Sequence, residues 1–384
     1  MHCERGLQTD QETDLKGKRL VKSIAIMSLA FLLAGCGSAY DETQVVRIWE
    51  AEESILDETG DVAQKGKKLA IRVGMTADEG AGNDNSYIAG AELGLKEIEN
   101  AMGAPTVLVE TPSIEQYAES FEKLVEQGCD LSWGIGFNCQ SALIESAALH
   151  PDKSFAIVDC SFEDTPDNVT GVVFRAQEPS FLVGYIAGAT TASGKVGFVG
   201  GESSEVIDQF RYGFEAGVKY AANIYSKNVD ISVAYADSFL DQERGKELAK
   251  QMYQSGCDIV YQAAGLTGNG VILAAQEEGK FVIGVDQDQS GLAPDNVLTS
   301  AIKKTDVAVI NVTRSFINGE QIGGRTFSLG LTEGAVGIPV DHHNYRDEIY
   351  DAVLRLEDDI KSGKIIPPDS ERAMNAFLLE NGME

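Results

Sequence analysis

Lys280 to Gly291 reads KFVIGVDQDQSG, a short apolar run with the length of a fully buried strand that ends on two carboxylates, Asp286 and Asp288. In open α/β sheets a ligand sits just beyond the carboxyl ends of the strands, so acids delivered there mark a site. The same pattern occurs earlier in the chain, where Lys153 to Asp159 reads KSFAIVD. Matching blocks precede both runs, EQGCDLSWGIG from Glu126 and QSGCDIVYQAAG from Gln254. Cys129 thus aligns with Cys257, and Asp159 with Asp286, at nearly the same offset. Two strand-helix-strand units of like design imply two lobes that face a shared cleft and close on a small molecule.

A chain of 384 residues with 43% hydrophobic content has the size of about two to three packed domains. Its formal net charge of −29 sets a long-range field that repels nucleic acid and anionic membranes. A neutral or mildly cationic small molecule is the better electrostatic match, although a local Lys or Arg can override the overall sign.

Lys16, Lys18, Arg19 and Lys22 form a basic flank before the apolar run Ile24 to Ala34, which is too short to span a bilayer and suits a signal peptide over residues 1–35. The ending Leu33-Ala34-Gly35-Cys36 resembles a bacterial lipobox. Cleavage there leaves Cys36 to carry lipid and tethers the mature protein to the cell membrane on its extracytoplasmic side. Residues 36–68 are polar and acidic and read as a tether. Cys129, Cys139, Cys160 and Cys257 show no CxxC or Cys/His metal spacing, so they are expected as small buried apolar residues.

From Leu69 onward, strands alternate with helices of ten to fifteen residues, the mark of βαβ units and parallel sheets. The expected organisation is a first lobe of residues 69–172 plus 302–330 and a second of 173–301 plus 331–384. Three crossing strands join them, and closure is then a hinge motion.

Several constellations carry chemistry. Asp78, Glu79, Asn83 and Asp84 cluster after the first strand, as a calcium site would, but Asn and Asp also serve turns and helix caps. Asp286 to Gly291 imitates the opening of an EF-hand loop, yet Val297 stands where the bidentate Glu is needed. Gly265, Gly268 and Gly270 suggest a Gly-rich turn whose N–H groups face a ligand oxygen, while the absence of a following Lys-Ser/Thr rules out a P-loop. His342 and His343 have no acid or Cys at metal spacing, and no nucleophile signature occurs. Neither a metal nor a cofactor is expected.

The blocks FAIVD ending at Asp159, SFLVGYIAG from Ser180, VGFVGG from Val196, FRYGFEAGV from Phe210, YADSFLD from Tyr235, AAGLTGNGV from Ala263, GVDQDQ from Gly284 and TSAIKK from Thr299 occur in this order. Together they resemble the basic membrane protein (BMP), or PnrA-like, family of substrate-binding lipoproteins. The resemblance implies a type I periplasmic-binding-protein fold, no enzymatic activity, and delivery of a nucleoside, of purine type, to the permease and ATPase subunits of an ABC importer by a monomeric receptor. It places Asp78, Asn83 and Asp84 at the cleft edge and Tyr87 and Phe239 on opposite faces of the base. Asp159 would bond the base, and Gly265, Asp286 and Lys303 the sugar. Lys303 is expected as the counter-charge of Asp286. Tyr87 stands where Phe is usual in the family. A nucleoside hydrolase and a ligand sensor coupled to an envelope signalling partner are the alternatives.

Overall fold

The computed structural model describes residues 71–78 and 83–383. The lipobox with Cys36, the signal peptide and the acidic tether lie outside these residues.

Two six-stranded sheets form the frame. The first takes β1 (Val73–Asp78), β2 (Thr106–Thr111), β3 (Leu131–Ile135), β4 (Ser154–Val158) and β5 (Val169–Phe174), closed by β11 (Arg325–Leu329), in the order β2-β1-β3-β4-β5-β11. The second takes β6 (Lys195–Gly200), β7 (Asp230–Tyr235), β8 (Ile259–Ala263), β9 (Phe281–Asp286) and β10 (Val297–Lys303), closed by β12 (Val336–Gly337), in the order β7-β6-β8-β9-β10-β12. The internal repeat is therefore the same winding used twice. Every pairing is parallel except β10 with β12. Strands such as β3 and β8 are buried throughout, the consequence of helices on both faces.

The chain passes between the sheets three times: after β5 into α4 (Gln177–Thr190), after β10 into α8 (Thr305–Ile317), and after β11 into β12. Helix α8 lies on α1 (Tyr87–Glu97) of the first lobe. Two expectations change in detail. The first strand includes Asp78 rather than ending before it, because Asp78 still pairs with Thr111. Gly268 and Gly270 are not in a turn but inside α7 (Leu266–Glu278), packed where a Cβ on Gly270 would strike the Gln242 carbonyl.

Helix α4 is buried from Glu178 to Ala189, apolar nearly all round as a core helix must be. It meets α5 (Glu205–Ile224) at backbone distance, because each helix carries two glycines one turn apart. A Cβ on Gly184 would run into the Phe214 carbonyl, and one on Gly217 into the Phe181 carbonyl. The C-terminal α10 (Glu371–Glu380) packs rather than frays: Phe377 meets Phe181 edge to face at 5.7 Å. Gly217→Ala, normally helix-favouring, should instead destabilise the protein by about 1–3 kcal/mol, read as a lower midpoint in urea with an unchanged slope.

Candidate functional site

A cavity lies between the carboxyl edges of the two sheets. Its volume is about 740 Å³, counting the space open to solvent at its mouth. Asp84, Tyr87 and Asp159 enter it from the side of the first sheet and Phe239, Gly265, Asp286 and Lys303 from that of the second; Lys303, expected in the first lobe with residues 302–330, instead ends β10 of the second sheet. Seven of the nine expected ligand residues thus share one wall-to-wall space. Asn83 is exposed beside it, and its carbonyl accepts from Asn269 Nδ2 at 3.3 Å. Asp78 closes β1, and its side chain lies outside the described residues.

Asp159 and Asp286 follow equivalent strands and share one backbone conformation, with φ of 64° and 65°. Left-handed geometry is uncommon away from glycine and tolerable for Asp, and it turns each carboxylate back over the strand edge. Their partners differ. Lys303 Nζ lies 2.6 Å from Asp159 Oδ2, with both side chains almost fully buried. The expected Lys303–Asp286 pair is therefore corrected: the cation bonds the acid of the opposite lobe. The ammonium also sits 4.6 Å from the Tyr87 ring centroid, 5.2 Å from Phe174 and 5.5 Å from Phe210, within cation–π range of all three.

Asp286, at 6% exposure, has no such ion pair among the described residues. Burial pushes its pKa up to about 7, opposed by the charge of Lys303 and reinforced by those of Asp84 and Asp159. Asp84 is committed elsewhere. Its carboxylate accepts the N–H groups of Ser86, Ile88 and Ala89 at 2.8–3.1 Å and caps α1, although burial still raises its pKa. The Tyr87 hydroxyl is buried near the Asp159 carboxylate without a well-formed hydrogen bond. Burial first, and that negative charge second, push its pKa well above the ordinary value.

The remaining walls are apolar, supplied by side chains such as Ile88, Ile135, Ile207 and Val285. Phe137 and Phe239 meet from opposite lobes with ring centroids 6.3 Å apart at 70°. Phe137 and Asn138 were not singled out in the sequence. They follow β3 at the same sheet edge as Asp159, so the strand-end rule that found the aspartates extends to them. Phe210 sits on α5, where helical spacing alone marks it only as core. Among the described residues no group of His, Cys, Asp and Glu could hold a metal ion, and Cys129, Cys139, Cys160 and Cys257 are buried. The set is one ammonium, three carboxylates and aromatic walls, which suits a neutral molecule rich in donors and bearing a flat ring.

Residues 71–371 match the family model described as Bmp, ABC transporter substrate-binding protein PnrA-like. Basic membrane protein A of Borreliella burgdorferi is 38% identical over 79% of this chain and 89% of its own length. The crystal structure of an ABC transporter system solute-binding protein from Aeropyrum pernix K1 superposes with a TM-score of 0.72 at 25% identity, covering 81% of this chain and 98% of that one. A Bacillus halodurans protein described as a transcriptional activator of the comK gene shares the fold, with a TM-score of 0.66 at 20% identity over 78% of this chain and 100% of its own. With a two-sheet frame, a cleft at the strand ends and a family match across nearly all the described residues, this chain belongs to the Bmp family of PnrA-like ABC transporter substrate-binding proteins, which are receptors and not enzymes.

Proposed function

We propose that this receptor binds a nucleoside, of purine type, in the cavity between its lobes and hands it to the permease of an ABC importer, held at the extracytoplasmic membrane face by lipid on Cys36. The carrying observation is the pairing of a buried carboxylate lacking an ion pair, Asp286, with aromatic side chains on the same cavity. A ribose diol presents two donors that one carboxylate accepts together, and charge-assisted bonds are about twice as strong as neutral ones. A flat base stacks on Tyr87 and Phe239, each ring contributing on the order of 1–3 kcal/mol with little regard to base identity. Lys303 keeps donors for a ring or hydroxyl oxygen beyond the one given to Asp159. A phosphorylated ligand meets three carboxylates against one ammonium and is disfavoured.

Calorimetry with inosine, guanosine, adenosine and uridine should show one nucleoside bound per protein and no release of free base. Asp286→Ala should weaken that binding at least about tenfold, the scale of a lost charge-assisted pair of bonds. Unchanged affinity would remove Asp286 from the site.

The diol needs the ionised carboxylate, whereas burial in the closed cleft holds Asp286 at a pKa of about 7. Binding therefore releases a proton, and affinity should rise between pH 5.5 and 8 by about tenfold or more and then level off. Stability runs the other way. The folded protein holds a proton that the unfolded chain, at the ordinary value of 3.8, has lost, so stability falls as pH rises from about 4 through 7. Asp286→Asn should raise the ligand-free melting temperature at pH 8 and have little effect near pH 4, as followed by scanning calorimetry.

A further inference from the structure

The loop that carries Asp286 alternates its residues, DQDQ, and the two glutamines do not border the cavity. They cross to the other lobe instead. Gln287 Nε2 donates to the Ser86 carbonyl at 2.7 Å, and Gln289 Nε2 to the Asn85 carbonyl at 3.1 Å. Asn269 Nδ2, from α7, donates to the Asn83 carbonyl at 3.3 Å. Three side-chain amides of the second lobe thus hold one four-residue stretch of the first, Asn83 to Ser86.

That stretch is the support of the first-lobe half of the site. It contains Asp84, which caps α1, and it leads directly into Tyr87, the first residue of that helix. The donors are equally well fixed. Gln289 Oε1 accepts from Gln262 Nε2 at 2.8 Å and from the Val285 N–H at 3.0 Å, so its amide can reach outward in only one direction. The Gln287 N–H closes a tight turn onto the Val285 carbonyl at 2.7 Å, which places Asp286 and Gln287 on opposite sides of one rigid bend.

Gly90 lies beside the same contact. It lies inside α1, where Ala would favour the helix by about 1 kcal/mol. A Cβ there would collide with Thr305 Oγ1 and lie 3.2 Å from Gln287 Nε2. The space is kept first for Thr305, which opens α8 on the same lobe, with Gln287 of the opposite lobe packed beside it.

We infer that Gln287, Gln289 and Asn269 form a closure latch: positioning residues that hold Asn83–Ser86 against the second lobe and so set how long the cleft stays shut on its ligand. Closing brings the Asp84 and Asp286 carboxylates together, which repel, and the amide donors offset that cost without touching the ligand. The latch makes Asp286 and Gln287 a single unit that contacts ligand on one side and lobe on the other. Its effect on nucleoside dwell time rests on the function proposed above; its effect on closure does not.

The test compares the wild type with Gln287→Ala, Asn269→Ala and the double variant, each checked for an unchanged melting temperature. Stopped-flow binding of the tightest nucleoside should show dissociation faster by about fivefold for each single variant and more for the pair, with association unchanged, because one neutral hydrogen bond has that net value. Gln287→Glu, which keeps the length but turns the donor into an acceptor, should be at least as fast to dissociate as Gln287→Ala. In parallel, the distance between labels on α2 (Tyr117–Glu126) and α6 (Gln242–Gln254) reports the closed fraction without ligand, expected to fall in the double variant. If the wild type binds no nucleoside but the closed fraction falls, the ligand reading fails and the latch stands. Equal dissociation rates and equal closed fractions would overturn the latch.

Discussion

An ammonium enclosed by three aromatic rings is costly to bury without a carboxylate beside it, and Asp159 is the one that Lys303 meets. Lys303 ends β10 of the second sheet, whereas Asp159 follows β4 of the first. The two lobes therefore cannot separate without leaving a buried charge to find water. Closure, orientation of the Tyr87 ring and the electrostatics of Asp286 all depend on that pair. Had Lys303 paired with Asp286 within its own lobe, the cleft would hold an uncompensated acid on the opposite side and no charged tie across the gap.

Duplication explains how such an arrangement arises from one design. The two sheets wind alike, and each presents an aspartate in left-handed geometry at the same edge. With a single lysine between them, one acid is neutralised and the other is left to respond to its surroundings. Equivalent positions thus hold one ion-paired acid and one whose charge burial opposes, and the difference lies in the neighbours rather than in the residue.

The strand runs and their terminal acids were legible because a buried parallel strand is a continuous apolar run and its end is abrupt. The partner of Lys303 was not, since distance along the chain carries no information about which residue faces it across a cleft. Gly268 and Gly270 misled for a related reason: glycine signals both a turn and a close helix contact, and only the packing of α7 against α6 shows that the latter applies. Phe137 was within reach of the strand-end rule but carries no charge to draw attention. Gln287 and Gln289 gave no signal at all, because a neutral amide beside an aspartate looks like any polar loop until the carbonyls opposite it are placed.

At the other end of the cleft, the crossings are tied to each other. Arg175, between β5 and α4, donates to Glu178, to Glu333 and to the Ser328 carbonyl, while Glu178 and Glu333 accept the N–H groups of Leu331 and Gly330. This clasp joins the first crossing to the third and leaves rotation about the crossings as the soft coordinate. Across the cleft itself, the named ties are one ion pair, three amide hydrogen bonds and a pair of phenylalanine rings. Neutral hydrogen bonds of about 1 kcal/mol net are individually replaceable by water, unlike a large apolar interface. A receptor must both hold and release, so a cleft fastened mainly by polar contacts at its rim, over a hinge fastened by charge, keeps the two states close enough in free energy for ligand to decide between them.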